Sequence, residues 1–373
     1  GGSFRRYKLD SDGQLFNDGP FGFSDPILIE EQGAYLQAGK KLANKRIHLR
    51  GSLRYDKHQD FEARFTPRLS SVISLGKNKV HNIRASYQTG FRNPAAQEAY
   101  IALDIGRAII LGGVENNVET YNYATESGPQ INGLDIHSGL VTAASFIAFQ
   151  QGGAVNPTLL VPANLSFLEQ EKNTTFEIGY NGLIDNKFFV DLNYYRTTYK
   201  NFVVRNTTVS PLVGEVFAVY TNIDQDISSD GFGLGLKYWL GTGYQAQVNY
   251  TYTRFDAEEA VQNNPEFLPG FNTPKNRFNV SLSNHSVSRT GFGFNLQFRY
   301  WDDYQWQSPF GQGEIPSKGI IDLAFSYKIK SLRSMLKLGA NNLLQDKYRT
   351  VYGGPEVGAI YYASLTYDRI FGR

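Results

Sequence analysis

The sequence predicts an all-β protein, an antiparallel up-and-down barrel that crosses a membrane with its strands. Three observations carry that prediction: recurring alternation of apolar and polar residues, a regular sequence of short and long connections, and an excess of aromatic residues. In GFGFNLQFRYW (291–301), Phe292, Phe294, Leu296, Phe298 and Tyr300 alternate with Gly293, Asn295, Gln297 and Arg299. A period of two belongs to a strand with one apolar and one polar face. Composition narrows the solvent of the apolar face. The 373 residues are only 41 % hydrophobic, with mean hydropathy −0.37, and no apolar run approaches the roughly eighteen residues of a membrane helix. Aromatics reach 14 %, with 24 Tyr and 26 Phe.

Taken in order, the alternating segments number about fourteen. They are 3–9, 34–40, 49–55, 67–75, 83–89, 176–180, 187–195, 232–240, 244–252, 278–283, 291–301, 321–327, 336–340 and 362–367. Their connections alternate in length. The tight ones are 43–46, 76–79, 185–187, 241–243, 286–290 and 330–333; the open ones are about 10–30, 56–64, 91–168, 200–228, 255–273, 302–317 and 345–355. A meander with all its short turns at one end and all its long loops at the other has this form, which is that of outer-membrane barrels. A propeller would show self-similarity at a period of roughly forty residues, and none is found. A sandwich would not sort its turns by length.

Chemistry is sparse. Cysteine is absent, and the five histidines, His48, His58, His81, His137 and His285, show no metal-ligand spacing. No G-x-S-x-G motif accompanies the two rim histidines, His58 and His137, so no enzyme, metal or cofactor is expected. A formal net charge of +2 gives no argument for nucleic acid. The opening GGSFRRYKLD has no leader pattern and reads as the interior of a longer chain.

The longest loop, about 91–168, keeps apolar stretches at 95–111 and 139–153, which predicts structured segments over the barrel mouth. Arg92, Arg107, Tyr121, Tyr123, Tyr220, Trp306, Arg349 and Tyr352 are candidates for a substrate mouth, since Tyr, Trp and Arg are enriched at binding hot spots. Phe310 and Tyr348 belong to the same rim, whereas Trp301 and Tyr304 read as an interfacial belt. Alternation turns Arg84, Glu177, Asp191, Gln247, Asn249, Gln297 and Arg299 toward the lumen, with Asn193, Gln245, Asn295 and Asp322.

Several longer stretches carry a resemblance. GFRNPAAQEAY (90–100), LEQEKNTTFEIGY (168–180), TPKNRFNVSL (273–282), LGANNLLQDKYRTVYG (338–353) and AIYYASLTYD (359–368) stand in this order. Together they resemble the C-terminal part of a TonB-dependent outer-membrane receptor. GSLRYDKHQDFEARFTPRLS (51–70) is similar to the Bacteroidetes-type receptors with a carboxypeptidase-like regulatory domain upstream. NNLLQDKY departs from the usual form by carrying Leu for Phe. The last strand resembles an assembly signal through Tyr361, Ala363, Leu365, Tyr367 and Phe371, but the chain ends on Phe371-Gly372-Arg373.

The resemblance implies a plugged barrel of twenty-two strands, of which residues 1–373 would be the C-terminal fourteen. The plug and the preceding strands are absent from this sequence. It further implies active import of a scarce nutrient (siderophore, glycan or peptide) at the bacterial outer membrane, gated by the TonB complex, with a surface lipoprotein as a further possible partner. Two alternatives remain at this point: a self-contained fourteen-stranded passive channel, and a secretion-associated structural barrel. An open sheet would leave two unpaired edges in hydrocarbon, where each unsatisfied N–H or C=O costs several kcal/mol.

Overall fold

The computed structural model describes all residues except 20, 21, 24, 125–127, 154, 155, 309, 310 and 368–373. Phe310 and Phe371 therefore lie outside the described residues. Fourteen long strands form one antiparallel sheet in which each pairs with the next in sequence. They are β1 (Gly2–Leu9), β2 (Ile27–Leu42), β3 (Ile47–His58), β4 (Arg64–Leu75), β5 (His81–Arg92), β6 (Glu171–Ile184) and β7 (Phe188–Lys200). The second half comprises β8 (Ile227–Trp239), β9 (Tyr244–Asp256), β10 (Asn276–Asn284), β11 (Phe292–Trp301), β12 (Lys318–Ile329), β13 (Ser334–Asn341) and β14 (Ile360–Tyr367). Each of the fourteen predicted segments coincides with one of these strands, three of them (187–195, 232–240 and 291–301) overrunning it by one residue. Among the described residues β1 and β14 do not pair with each other, so the strand order is open at both ends.

The short connections are built for reversal. At 184–187 the central residues Asp185 and Asn186 have φ of 49° and 53°, and the Lys187 N–H closes the turn on the Ile184 carbonyl at 3.0 Å. Two successive positive φ values match the twist of a two-residue hairpin, and Asp and Asn tolerate them best.

Register sorts the side chains. One row on the apolar face runs Leu323, Leu296, Leu282, Ala246, Tyr238 and Phe188 across β12 to β7. These apolar faces are open: Leu36 is 76 % exposed, and Phe65, Leu69 and Leu365 are similarly bare. A protein in water would bury such a surface, whereas hydrocarbon is its natural solvent. Aromatic contacts gather toward strand ends, as in Phe292 with Phe325 (5.7 Å) and Phe278 with Tyr300 (5.0 Å).

The buried apolar core lies instead at the long-loop end, in three clusters. Ile27, Ile29, Phe61 and Tyr100 centre one; Leu111, Ile136, Phe217 and Val219 another; Val204, Ile227 and Phe267 the third. Around them the loops fold into a five-stranded sheet, ordered 141–142, Val203–Ser210, Glu215–Asn222, Ile109–Leu111 and Ala102–Asp104. Two separate loops thus share one sheet, through a parallel pairing of 109–111 with 217–219. The stretches 95–111 and 139–153 supply helices Ala96–Tyr100 and Ala143–Gln151 and the two edge-side strands. The long loops form a folded cap.

Candidate functional site

The seven residues read as lumen-facing share the polar face of the sheet. A continuous row runs Ser74, Asn82, Asn181, Asp191, Gly235, Asn249, Asn279 and Arg299 across β4 to β11. A second row places Gln247 beside Ser281, Gln297 and Asp322. Arg84 lies two residues from Asn82 and Glu177 four residues from Asn181, both on the same face as the row. Two ion pairs form there: Arg84 Nη2 donates to Asp191 at 2.8 Å, and Arg299 grips Asp322 through Nε at 2.6 Å and Nη2 at 3.1 Å. Bidentate pairing fixes the guanidinium plane as well as its charge.

Two clamps fix the roots of the longest loop. Arg92 Nε and Nη2 donate to both carboxylate oxygens of Glu171 at 2.6 and 2.9 Å, while Nη1 donates to Glu98 at 3.0 Å. Beside it, Arg64 Nε donates to Gln170 Oε1 (2.7 Å), Gln170 Nε2 to Asn93 Oδ1 (2.8 Å), and Asn93 Nδ2 to Glu31 (3.1 Å). The Tyr100 hydroxyl donates to Asp60, and burial together with that bond pushes the phenol well above its ordinary pKa. The stretches FRNPAAQEAY and LEQEKN are therefore the two halves of one anchor.

The structure separates the proposed mouth residues into two sets. Arg92 is engaged in the anchor, Tyr121 is packed in a cap core where burial raises its hydroxyl pKa, Tyr123 donates to Glu215 at 3.2 Å, and Tyr220 packs on the cluster around Tyr100. Arg107 stands exposed on the turn between Ala102–Asp104 and Ile109–Leu111. Arg349 is half-exposed and reaches Glu356 at 3.4 Å. Trp306 lies in the hairpin Tyr304–Ser308/Gly311–Ile315, and the Tyr352 ring occupies the space beside Gly313, 2.0 Å from where a Cβ would stand.

The expectation for Trp301 is corrected by register, and that for Tyr304 by the cavity it shares with Trp301. Trp301 pairs with Arg277 and Lys318, two residues from Arg299, and so lies on the polar face instead of in a lipid belt. There it stands edge-on to Tyr348 at 5.4 Å and 67°. Together with Arg277, Asn279, Arg299 and Tyr304 these rings line a cavity of about 430 Å³ at the long-loop end. The Tyr304 hydroxyl donates to the Thr350 carbonyl at 3.1 Å; burial raises its pKa and the nearby Arg277 opposes the shift. Among the described residues no carboxylate pairs with Arg277. Sequence reading missed Arg277 and Asn279, although their alternation with Phe278 and Val280 marks them as inward. The cavity offers an unpaired cation within aromatic walls, a setting for an anionic ligand with flat surfaces.

The family profile described as TonB dependent receptor-like, beta-barrel, matches residues 1–343. No curated protein matches the chain. Among solved structures, the siderophore receptor PirA from Acinetobacter baumannii is similar at TM-score 0.63 and 16 % identity, over 98 % of this chain and 51 % of that one. The FrpB iron transporter from Neisseria meningitidis gives TM-score 0.61 at 15 % identity, over 98 % and 51 %. The copper transporter OprC gives 0.57 at 15 %, over 91 % and 48 %. The chain thus spans about half the length of these solved transport proteins, and at such identities the likeness is one of fold. With an apolar outward face, a polar inward face and a match over residues 1–343, this chain belongs to the TonB-dependent receptor β-barrel family of the bacterial outer membrane.

Proposed function

We propose that the chain is the C-terminal fourteen-stranded section of the barrel of an active importer. Its ligand would be captured at the cap and admitted when TonB acts on a plug carried elsewhere in the protein. The observation that carries this reading is the pairing of an open sheet, lipid-facing on one side and lined by a polar row on the other, with a folded cap over its long-loop end. The remaining strands and the plug would complete the wall and engage the row from Asn82 to Arg299. The stretch 51–70 supports a Bacteroidetes-type receptor with its regulatory domain upstream. A surface lipoprotein could engage the cap, and nothing in the arrangement asks for catalysis.

Among siderophores, glycans and peptides, the Arg277 cavity favours an anionic metal chelate over a neutral glycan. Arg107, Arg349 and Tyr352 at exposed cap positions would make first contact. Uptake of a panel of radiolabelled ferric chelates by cells carrying the intact receptor tests the reading. Uptake should be saturable and stop when a protonophore collapses the inner-membrane gradient. Arg277→Ala should weaken binding at least tenfold, about 1.4 kcal/mol. Unsaturable flux that ignores the gradient would instead establish a passive channel, and a barrel without any uptake would favour the structural reading.

A further inference from the structure

A cavity of about 660 Å³ lies away from the polar face. It is a groove on the lipid-facing surface of β2 to β6. Its floor is Gly51, Ser71 and Ala85, and its walls include Leu69, Tyr87 and Phe176. Register explains the shape: Gly51, Leu69, Tyr87 and Phe176 are successive partners in one outward row, and Lys40, Leu49, Ser71 and Ala85 in the next. The large side chains of the first row overhang the small ones of the second. The size falls in the range of small-molecule sites, roughly 300–1,000 Å³. Lys40 ends the groove, three residues before the turn at 43–46 and thus on the short-turn side.

The two short turns on that side are strongly basic. Residues 39–50 and 75–81 carry Lys40, Lys41, Lys45, Arg46, Arg50, Lys77 and Lys79 and not one Asp or Glu. They form one surface, because Lys79 Nζ donates to the Asn44 carbonyl at 2.7 Å and Arg46 Nη1 to the Gly76 carbonyl at 2.8 Å. Lys45 and Lys77 are exposed beside these cross-links. The neighbouring turn at 185–187 balances Asp185 with Lys187, and another basic short turn, 330–333 with Lys330 and Arg333, lies toward the opposite edge of the sheet.

We propose that this place holds one anionic glycerophospholipid of the leaflet at the short-turn end. Its phosphate would lie on the basic turns, and an acyl chain would fill the groove between Leu69 and Phe176. Clustered Lys and Arg at a membrane surface attract anionic head groups, and a long Lys stem reaches from hydrocarbon to the interface. An acidic peptide would need the cations but not an apolar groove reached only through the bilayer. The two features adjoin, and a lipid uses both.

Native mass spectrometry of the intact receptor in detergent tests this, with phosphatidylglycerol and phosphatidylcholine of identical acyl chains as probes. Phosphatidylglycerol should be retained at one molecule per receptor and phosphatidylcholine at least tenfold less. The combined change Lys40→Gln, Lys45→Gln and Lys77→Gln should abolish that preference, since none of the three makes a cross-link between the turns. Ala85→Phe should fill the groove and lower retention of long-chain phosphatidylglycerol, with Ser71→Leu as the second variant should Ala85→Phe fail to assemble. Equal retention of the two lipids, or an unchanged preference in the triple variant, would overturn the proposal. Displacement by inorganic phosphate or by an acidic peptide at matched concentration would overturn it too, leaving an anion or protein surface.

Discussion

Leu296 and Gln247 lie on opposite faces of the same sheet, and their solvents decide what each position tolerates. Leu296 pairs with Leu282 and Leu323 on the open apolar face, whereas Gln247 pairs with Lys237 and Ser281 on the polar one. A cation near the bilayer midplane on the lipid face costs about 2–4 kcal/mol, and a lumen position avoids that penalty. Leu296→Arg should therefore destabilise the intact receptor by about that amount in a vesicle refolding titration, and Gln247→Arg by less than about 1 kcal/mol. Equal costs would invert the orientation. A second residue carries a pH effect. His137 is stacked on Phe167 at 4.9 Å in the cap, and burial lowers its pKa. Above the ordinary imidazole value of about 6.5, folded and unfolded caps are both neutral there and nothing is lost. As pH falls below that value the unfolded cap takes up the proton first, so the folded cap loses stability until its own lower pKa is reached. His137→Phe should keep the stack and flatten this acid limb, as read by the rate of loop proteolysis between pH 7 and 5.

The strands were legible from their period of two, since one face in lipid and one in water imposes that pattern on every crossing. The cap was not. Its strand Ile109–Leu111 is three residues long and takes one of its two partners from Glu215–Asn222, about a hundred residues away. No local period records such a pairing. The same reason hid the Arg277 cavity, because Trp301 belongs to the wall or to the lipid belt according to one residue of register. Glycines mark where the cap's chain paths touch. A Cβ on Gly113 would lie 1.8 Å from the Tyr220 carbonyl oxygen, and one on Gly112 would lie 2.3 Å from that of Ala99. Backbone stands in the way at both, so neither contact can be relieved by a rotamer. Gly113→Ala should unseat the Ile109–Leu111 strand while leaving the fourteen membrane strands paired. The expected outcome is a receptor with normal heat-modifiable mobility, rapid proteolysis between 93 and 170, and lost ligand binding. Loss of barrel assembly as well would mean that the cap is required for the wall to form.

At the scale of the whole molecule the decisive feature is the pair of free edges. β1 has eight residues and β14 has eight, and each presents one side without a partner among the described residues. About half the backbone groups of an edge strand point outward, so each edge leaves roughly eight N–H and C=O groups unmet, at several kcal/mol apiece in hydrocarbon. The sum for two edges runs to tens of kcal/mol, well beyond the 5–15 kcal/mol that ordinarily holds a fold together. Residues 1–373 expressed alone should consequently fail to insert stably into vesicles, remaining protease-sensitive and without heat-modifiable mobility. Supplying the rest of the receptor as a separate polypeptide should restore both properties, because it provides pairing for β1 and β14 at once. A stable, protease-resistant barrel from residues 1–373 alone would show instead that β1 and β14 can meet. The ligand path would then be a complete fourteen-stranded pore, and the gradient dependence of uptake would vanish with the plug.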